Sequence, residues 1–522
     1  MDNYQQRSRE LAQRFLQTAV VVDDKAYMAL EQDNGPTGPV VEPSRSQTAS
    51  GQNDRNPAGH GSRHSLDAGP VINSFSELGV VCGVVSPADS TLETMKKSDI
   101  VVLDWFLRDG NPQYTLKLLE KLLKGESEQN SLRLISIYTG EARLREICDE
   151  IVNTLADASL NPRQNEAKTE ISYQHGCVVL YAKSGVNLVQ ALQDRSVEAS
   201  DLPGKLVKDF ALMTSGLLPR IALTSLTAVR ESEHKVLDQF SAKLDPAFLA
   251  HKACLPNPED AERQIVNYIA EELRGLMDSA VVQTSSEDAD AVKHWIREKA
   301  QEFTFRKKNG TETLNQEETV TLVNEGLKNS NRLHDSAFKF LSAGFSGNDA
   351  TDLDKQLAWI MTFRAVYSAS KPILWLGSVV TELSDEGEKH LICMRPRCDC
   401  VRLQGETSFF FLTLVEPAKK EEQVVVKLDN AFKRLGIEFD SAGWVLRKFK
   451  PDSGDSGSSA IIAEKQNSND HFEFKNSDKM RRYKWRGELK AEYAQRIIQK
   501  FAERLNRIAV DKSEWLRRMA KR

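Results

Sequence analysis

Four short apolar runs, each closing on a polar residue, limit what this chain can fold into more than any other feature. They read TAVVVDD (18–24), DIVVLDW (99–105), LRLISIYTG (132–140) and GCVVLYAKS (176–184). Each is of strand length and rich in β-branched residues. Strands this continuously apolar need cover on both faces, as in open parallel α/β sheets. Sheets of that kind build their sites at the carboxyl ends of their strands. The polar residues at those ends are the pair Asp23 and Asp24, then Asp104, Thr139 and Lys183.

Those residue types, in that order, suit phosphoryl chemistry. A carboxylate can attack phosphorus and form an acyl phosphate. Mg²⁺ neutralises phosphoryl oxygens, prefers hard oxygen ligands, keeps several waters and takes one or two carboxylates. Asp24 and Asp104 supply those carboxylates, Asp23 holds a metal-bound water, and the backbone carbonyl of Phe106 adds another ligand. Lys183 pairs with a phosphoryl oxygen as a point charge, and the Thr139 hydroxyl donates to another. In-line transfer is mostly positioning and electrostatics, so little else is needed. Taken singly, each piece has a plainer reading. An acidic pair after a strand is commonly a turn or a helix cap, and Asp104 could be an ordinary loop acid.

As a set, the four pieces resemble the receiver domain of bacterial two-component response regulators, over roughly residues 15–200. The resemblance implies a flavodoxin-like, doubly wound, parallel five-stranded sheet. It makes Asp104 the phospho-acceptor, Asp23 and Asp24 the acid pair with Mg²⁺, Thr139 the switch hydroxyl and Lys183 the characteristic lysine. Gly140 fits the small residue that the family keeps after the hydroxyl. A sensor histidine kinase is the implied partner. Such a protein is no enzyme beyond its own phosphorylation and dephosphorylation.

The chain also departs from the family. Asp24 and Asp104 stand 80 positions apart, well beyond the usual spacing. Residues 31–69, rich in Gly, Pro, Ser, Asn and Gln, account for the excess as a disordered insertion. A helix near 141–157 and a loop near 158–170 lengthen the Thr139–Lys183 interval. Leu180 occupies the position of the family's switch aromatic, with Tyr181 beside it, and Ser184 replaces the usual proline after the lysine. These departures leave phosphorylation intact and alter its conformational readout.

Past residue 200 the pattern changes. Residues 201–350 form a helical region, with runs at 258–281, 288–305 and 324–345. Residues 351–522 form a β-rich α+β module, a small barrel or sandwich, ending in a basic amphipathic helix. Cys393, Cys398 and Cys400 cluster there. Their spacing matches no standard zinc pattern, and strand alternation puts Cys398 and Cys400 on one face as buried thiols, with metal binding the alternative. In the last helix Leu489, Tyr493, Ile497, Phe501, Leu505 and Ile508 keep helical spacing, with Arg496, Lys500, Arg504 and Arg507 on another face. A second short helix, KSEWLRRMAKR, follows. Over 481–522 there are 14 Lys or Arg against five Asp or Glu. That surface either meets nucleic acid or an acidic partner, or is the solvated face of a packed helix.

Bulk properties fit a cytoplasmic protein. The formal net charge is −5, no apolar run approaches the ~20 residues of a membrane span, and the polar N-terminus is no signal peptide. Seven sparse cysteines suit a reducing compartment. The combination of receiver, insertion, helical middle, LICMRPRCDCVRL and the ending WRGELKAEYAQRIIQKFAERLNRIAVDKSEWLRR resembles the large receiver proteins of Detocs-type bacterial anti-phage two-component systems. With no phosphorylase-like effector signature, the chain is similar to their buffer protein. That resemblance implies a phosphate sink beside a sister receiver-effector protein. The alternative is a response regulator whose phosphorylation controls nucleic-acid or protein binding by the C-terminal module.

Overall fold

The structure, a computed structural model, describes residues 3–28, 65–108, 110–129, 132–157, 160–173, 176–299, 302–307, 310–326, 350–365, 371–416, 422–429, 431–451, 459–466, 472–475 and 481–505, with 342 and 519. It divides into two compact units, Met1–Lys299 and Ala300–Arg522.

In the first unit the four apolar runs become parallel strands. They are β1 (Thr18–Val22), β3 (Ile100–Leu103), β4 (Arg133–Thr139) and β5 (Gly176–Lys183), joined by an edge strand β2 (Val81–Val85). All four neighbouring pairs are parallel, in the order β2-β1-β3-β4-β5. This is the flavodoxin-like order of a doubly wound sheet.

Helices cover both faces. On one face α3 (Thr91–Lys96), α4 (Pro112–Gln129) and α5 (Leu144–Asp157) pack on Val20, Leu103, Ile137 and Leu180. On the other, α1 (Asn3–Phe15), α2 (Ala68–Glu77), α6 (Leu202–Met213) and α7 (Leu217–Arg230) pack on Val21, Val102, Tyr138 and Tyr181. Successive strand residues thus serve opposite cores, which is why each run is apolar at almost every position.

Two departures from the sequence reading lie in this unit, and a third begins where it ends. Residues 31–64 of the expected insertion fall outside the described residues, but 65–69 are ordered. Leu66–Asp67 pairs in parallel with Ala26–Tyr27, and Asp67 caps α2 by accepting from the Gly69 N–H at 3.1 Å. The expected loop 158–170 contains a short hairpin strand, Arg163–Gln164, paired with Glu170–Tyr173. Glu170–Tyr173 runs antiparallel along the outer edge of β5, and Ser196–Val197 covers the end of that edge in parallel. Lys168, at φ 56°, turns the hairpin, and its ammonium pairs with Asp149 on α5 at 2.8 Å. The helix expected to run to 305 ends at Lys299. Glu302–Lys307 instead forms an antiparallel hairpin with Gly310–Asn315, as its alternating Phe and Thr positions favour. The expected helix at 324–345 lies almost entirely outside the described residues.

Beyond α7 the first unit continues through Asp260–Gln283 and Ser285–Lys299. Arg230, the last residue of α7, grips Asp99 through two nitrogens at 2.8 and 3.0 Å and donates to the Phe15 carbonyl at 2.7 Å. Asp99 in turn accepts from the Gln17 and Thr18 N–H groups. The helical extension is therefore fastened to the amino end of the sheet.

Among the described residues, the second unit is built around a nine-stranded antiparallel sheet. Its central strands are Ser378–Ser384, Gly387–Cys393 and Thr407–Val415. Alternate residues feed two cores: Val379, Ile392 and Leu412 on one face, Val380, Leu391 and Phe411 on the other. Asp429 ties Lys484 and Arg486 at 2.9 and 2.8 Å, linking the hairpin Gln423–Leu428/Ala431–Ile437 to the strand Arg482–Glu488. The closing helix Ala491–Leu505 buries Ala494 and Ile497, and Tyr493 and Phe501 pack on the same core. Its basic face is engaged: Arg496 and Lys500 pair with Glu422, and Arg504 with Asp440. The apolar face of the helix is packed, while Arg496, Lys500 and Arg504 stay more than a third exposed. Arg507, Ile508 and nearly all of KSEWLRRMAKR lie outside the described residues.

The cysteine segment is not the expected strand. The strand ends at Cys393, and after Pro396 the residues Arg397–Cys400 make a 3₁₀ turn. Cys398 is exposed while Cys400 is buried, so they share no face. Proline cannot continue a strand ladder, and that ends the alternation.

Candidate phospho-acceptor site

The strand register brings the expected residues to one edge. Val22 lies opposite Leu103, Leu103 opposite Ile137 and Thr139 opposite Ala182. The Asp104 N–H donates to the Val22 carbonyl at 3.0 Å, and the Asp23 N–H to the Val85 carbonyl at 3.2 Å. Both acids therefore continue their strands by one paired residue. They leave β1 and β3, the neighbours between which the strand order reverses, where sites in open α/β sheets form.

Lys183 is the hub. Its Nζ lies 3.0 Å from Asp23 Oδ2 and 2.9 Å from Asp104 Oδ1, and all three side chains are buried. The same ammonium sits 5.9 Å from the centre of the Tyr138 ring. Asp23 completes its contacts by accepting from the Lys25 N–H at 2.8 Å. Asp104 Oδ2 accepts from the Phe106 N–H at 2.9 Å, and the loop after it is fixed by Thr115, whose hydroxyl donates to the Asp104 and Trp105 carbonyls. Burial raises the Asp104 carboxyl above the ordinary range. The Lys183 charge pulls it down, and the neighbouring Asp23 charge adds to the rise.

Two carboxylate oxygens matter for a cation. Asp104 Oδ1 has the Lys183 ammonium as its partner at 2.9 Å, and Asp24 Oδ1 is buried with no hydrogen-bond partner. The other Asp24 oxygen accepts from the Arg108 N–H at 3.2 Å. A buried carboxylate oxygen without a donor is costly. Together with an Asp104 oxygen it supplies the two hard anionic oxygens that a divalent cation with a largely aqueous shell takes from a protein. Among the described residues no three His, Cys, Asp or Glu side chains already form a metal cage, so neither the acids nor the cysteine cluster is a closed site. All seven cysteines are free, and burial pushes the Cys400 thiol up to about 12.

Thr139 is buried, and its Oγ1 accepts from the Glu141 N–H at 3.2 Å, which leaves its own proton to donate. Tyr181 does not stand in for the switch aromatic. Leu180 faces the α4–α5 core while Tyr181 faces α6, where its hydroxyl donates to Asp209 at 2.7 Å. Tyr138 likewise donates to the Val197 carbonyl at 2.9 Å. The sequence reading did not single out Arg108, Tyr138 or Asp209. Tyr138 and Tyr181 stand opposite each other in the strand register.

Residues 15–188 match the family model described as the response receiver domain. That third of the chain is a receiver domain of the response-regulator kind, and its partner class is a histidine kinase or another phosphodonor. Comparison with curated proteins and with solved structures finds no match. Among the described residues no helix is long and apolar enough to cross a membrane.

Proposed function

We propose that Asp104 takes a phosphoryl group from the phosphohistidine of a sensor kinase, with Mg²⁺ held by Asp24 and Asp104. The observation that carries this reading is the buried Asp104 carboxylate with the Lys183 ammonium 2.9 Å from one oxygen, beside the buried and partnerless Asp24 Oδ1. An Asp104 oxygen attacks phosphorus, the P–N bond breaks, and its electron pair stays on the departing imidazole. The product is an aspartyl phosphate. Mg²⁺, when bound, offsets the charge on the phosphoryl oxygens. Lys183 moves from the carboxylate to an incoming phosphoryl oxygen without leaving the pocket, and Asp23 keeps it aligned. The Thr139 proton is free for another oxygen. Burial excludes bulk water from the nucleophile, and the Phe106 N–H fixes its second oxygen. The Phe106 carbonyl is the further ligand in this reading, and Asp23 holds a metal-bound water.

At the level of the cell we infer a phosphate sink in an anti-phage two-component system, beside a sister receiver-effector protein. The sequence resemblance supports this. So does the engagement of the basic helix by Glu422 and Asp440, which leaves Arg496, Lys500 and Arg504 paired within the module.

The test is phosphotransfer to the full chain with Mg²⁺ and either acetyl phosphate or the phosphorylated kinase. The protein gains the mass of one phosphoryl group, Asp104→Ala gains none, and Lys183→Ala labels about a hundredfold more slowly. No gain from either donor would remove the reading. In cells, Asp104→Ala makes the sister effector toxic without phage, and normal growth would count against the sink.

A further inference from the structure

The loop after Asp104 has a second anchor besides Thr115. Arg108 has φ 58°, in the left-handed region that residues other than glycine seldom occupy, and Gly110 follows at φ 67°. The Arg108 N–H donates to Asp24 Oδ2 at 3.2 Å. Its side chain is held twice. Nη2 donates to the Pro87 carbonyl at 2.9 Å, and the guanidinium lies 4.5 Å from the centre of the Tyr114 ring on α4. The segments after β1, β2 and β3 therefore meet at this residue. The guanidinium forms no ion pair with either acid of the pair, so its charge leaves the cation's place open.

We propose that Arg108 is a positioning residue for Asp24. Its tethered side chain keeps the backbone left-handed, so the N–H fixes one carboxylate oxygen and presents the other, the buried and partnerless Oδ1, to a divalent cation. This rests on the phospho-acceptor reading above. The reasoning is one of preorganisation. A carboxylate already immobilised by a neutral donor keeps its full charge and loses little freedom on binding. An untethered loop must be ordered by the cation itself. A strained backbone conformation persists only where its surroundings impose it, and here Pro87 and Tyr114 do so.

The test is Mg²⁺ titrated into the full-length protein by calorimetry, alongside Mg²⁺-dependent phosphate uptake from acetyl phosphate. Arg108→Ala and Tyr114→Leu raise the Mg²⁺ Kd about tenfold. They lower labelling at scarce Mg²⁺, and saturating Mg²⁺ restores it, which a collapsed site would not show. Arg108→Gly permits the backbone angle but lacks the tether, and weakens Mg²⁺ to the same degree. Unchanged Mg²⁺ affinity in Arg108→Ala and Arg108→Gly would overturn the proposal. So would a loss that excess Mg²⁺ does not repair. Wild-type protein that neither binds Mg²⁺ nor takes phosphate would overturn the phospho-acceptor reading first and this one with it.

Discussion

One ammonium shared by two buried carboxylates leaves Lys183, Asp23 and Asp104 one negative charge in excess. Burial raises the Asp104 carboxyl in the folded protein, so its ionised form costs stability at neutral pH. The sign follows from linkage. The cost is full above the folded value and vanishes below the unfolded one, where Asp104 is protonated in both states. Without added divalent cation, Asp104→Asn therefore raises Tm at pH 7, by a few °C at most in a unit of about 300 residues. Calorimetry at pH 7 and pH 4 checks this, and a gain equally large at pH 4 would refute it. The five polar side chains were legible because each ends a run whose apolar character fixes its strand, and their order fits one chemistry. Arg108 was not legible. Its backbone angle arises from Pro87, Tyr114 and Asp24, residues remote in sequence, and no local pattern marks it.

Elements were legible in proportion to their apolar periodicity. The buried strands and α5 stand close to where the sequence put them, since both derive from long one-signal stretches. Arg163–Gln164 and Glu170–Tyr173 escaped notice. They are short and half polar, and the exposed edge of β5 is what makes them strands. The same holds for Arg397–Cys400, where a proline overrode an apparent alternation. In the second unit Glu382 is buried under two Arg447 nitrogens at 2.6 and 3.0 Å and the Tyr483 hydroxyl at 2.9 Å. Burial pushes its carboxyl up, but the Arg447 and Tyr483 hydrogen bonds outweigh this and hold it below the ordinary range. The stabilisation is present above the usual glutamate value and is lost as pH falls through the lowered one. Arg447→Met strands the carboxylate and costs this unit about 3–5 kcal/mol at pH 7. Urea unfolding at pH 7 and at pH 3 measures it, and a loss that persists undiminished at pH 3 would contradict the ion-pair account.

At the scale of the whole molecule, two sequence readings of the C-terminal module make different predictions. If the paired helix is a packed element, the full chain binds fluorescent duplex DNA or RNA weakly, and phosphorylation changes nothing. Anisotropy at low and moderate salt, with and without acetyl phosphate, checks this. A salt-sensitive affinity that shifts with phosphorylation would favour the regulator instead. The arrangement of the first unit also decides how the receiver can be studied apart from the rest. α6 places Leu202, Leu206, Val207 and Phe210 on the sheet face formed by Val179, Tyr138 and Tyr181, and Arg230 of α7 secures the far end at Asp99. A polypeptide cut after residue 200 would offer those tyrosines and valines to water and clump with its neighbours. One carried through to 299 would keep them dry.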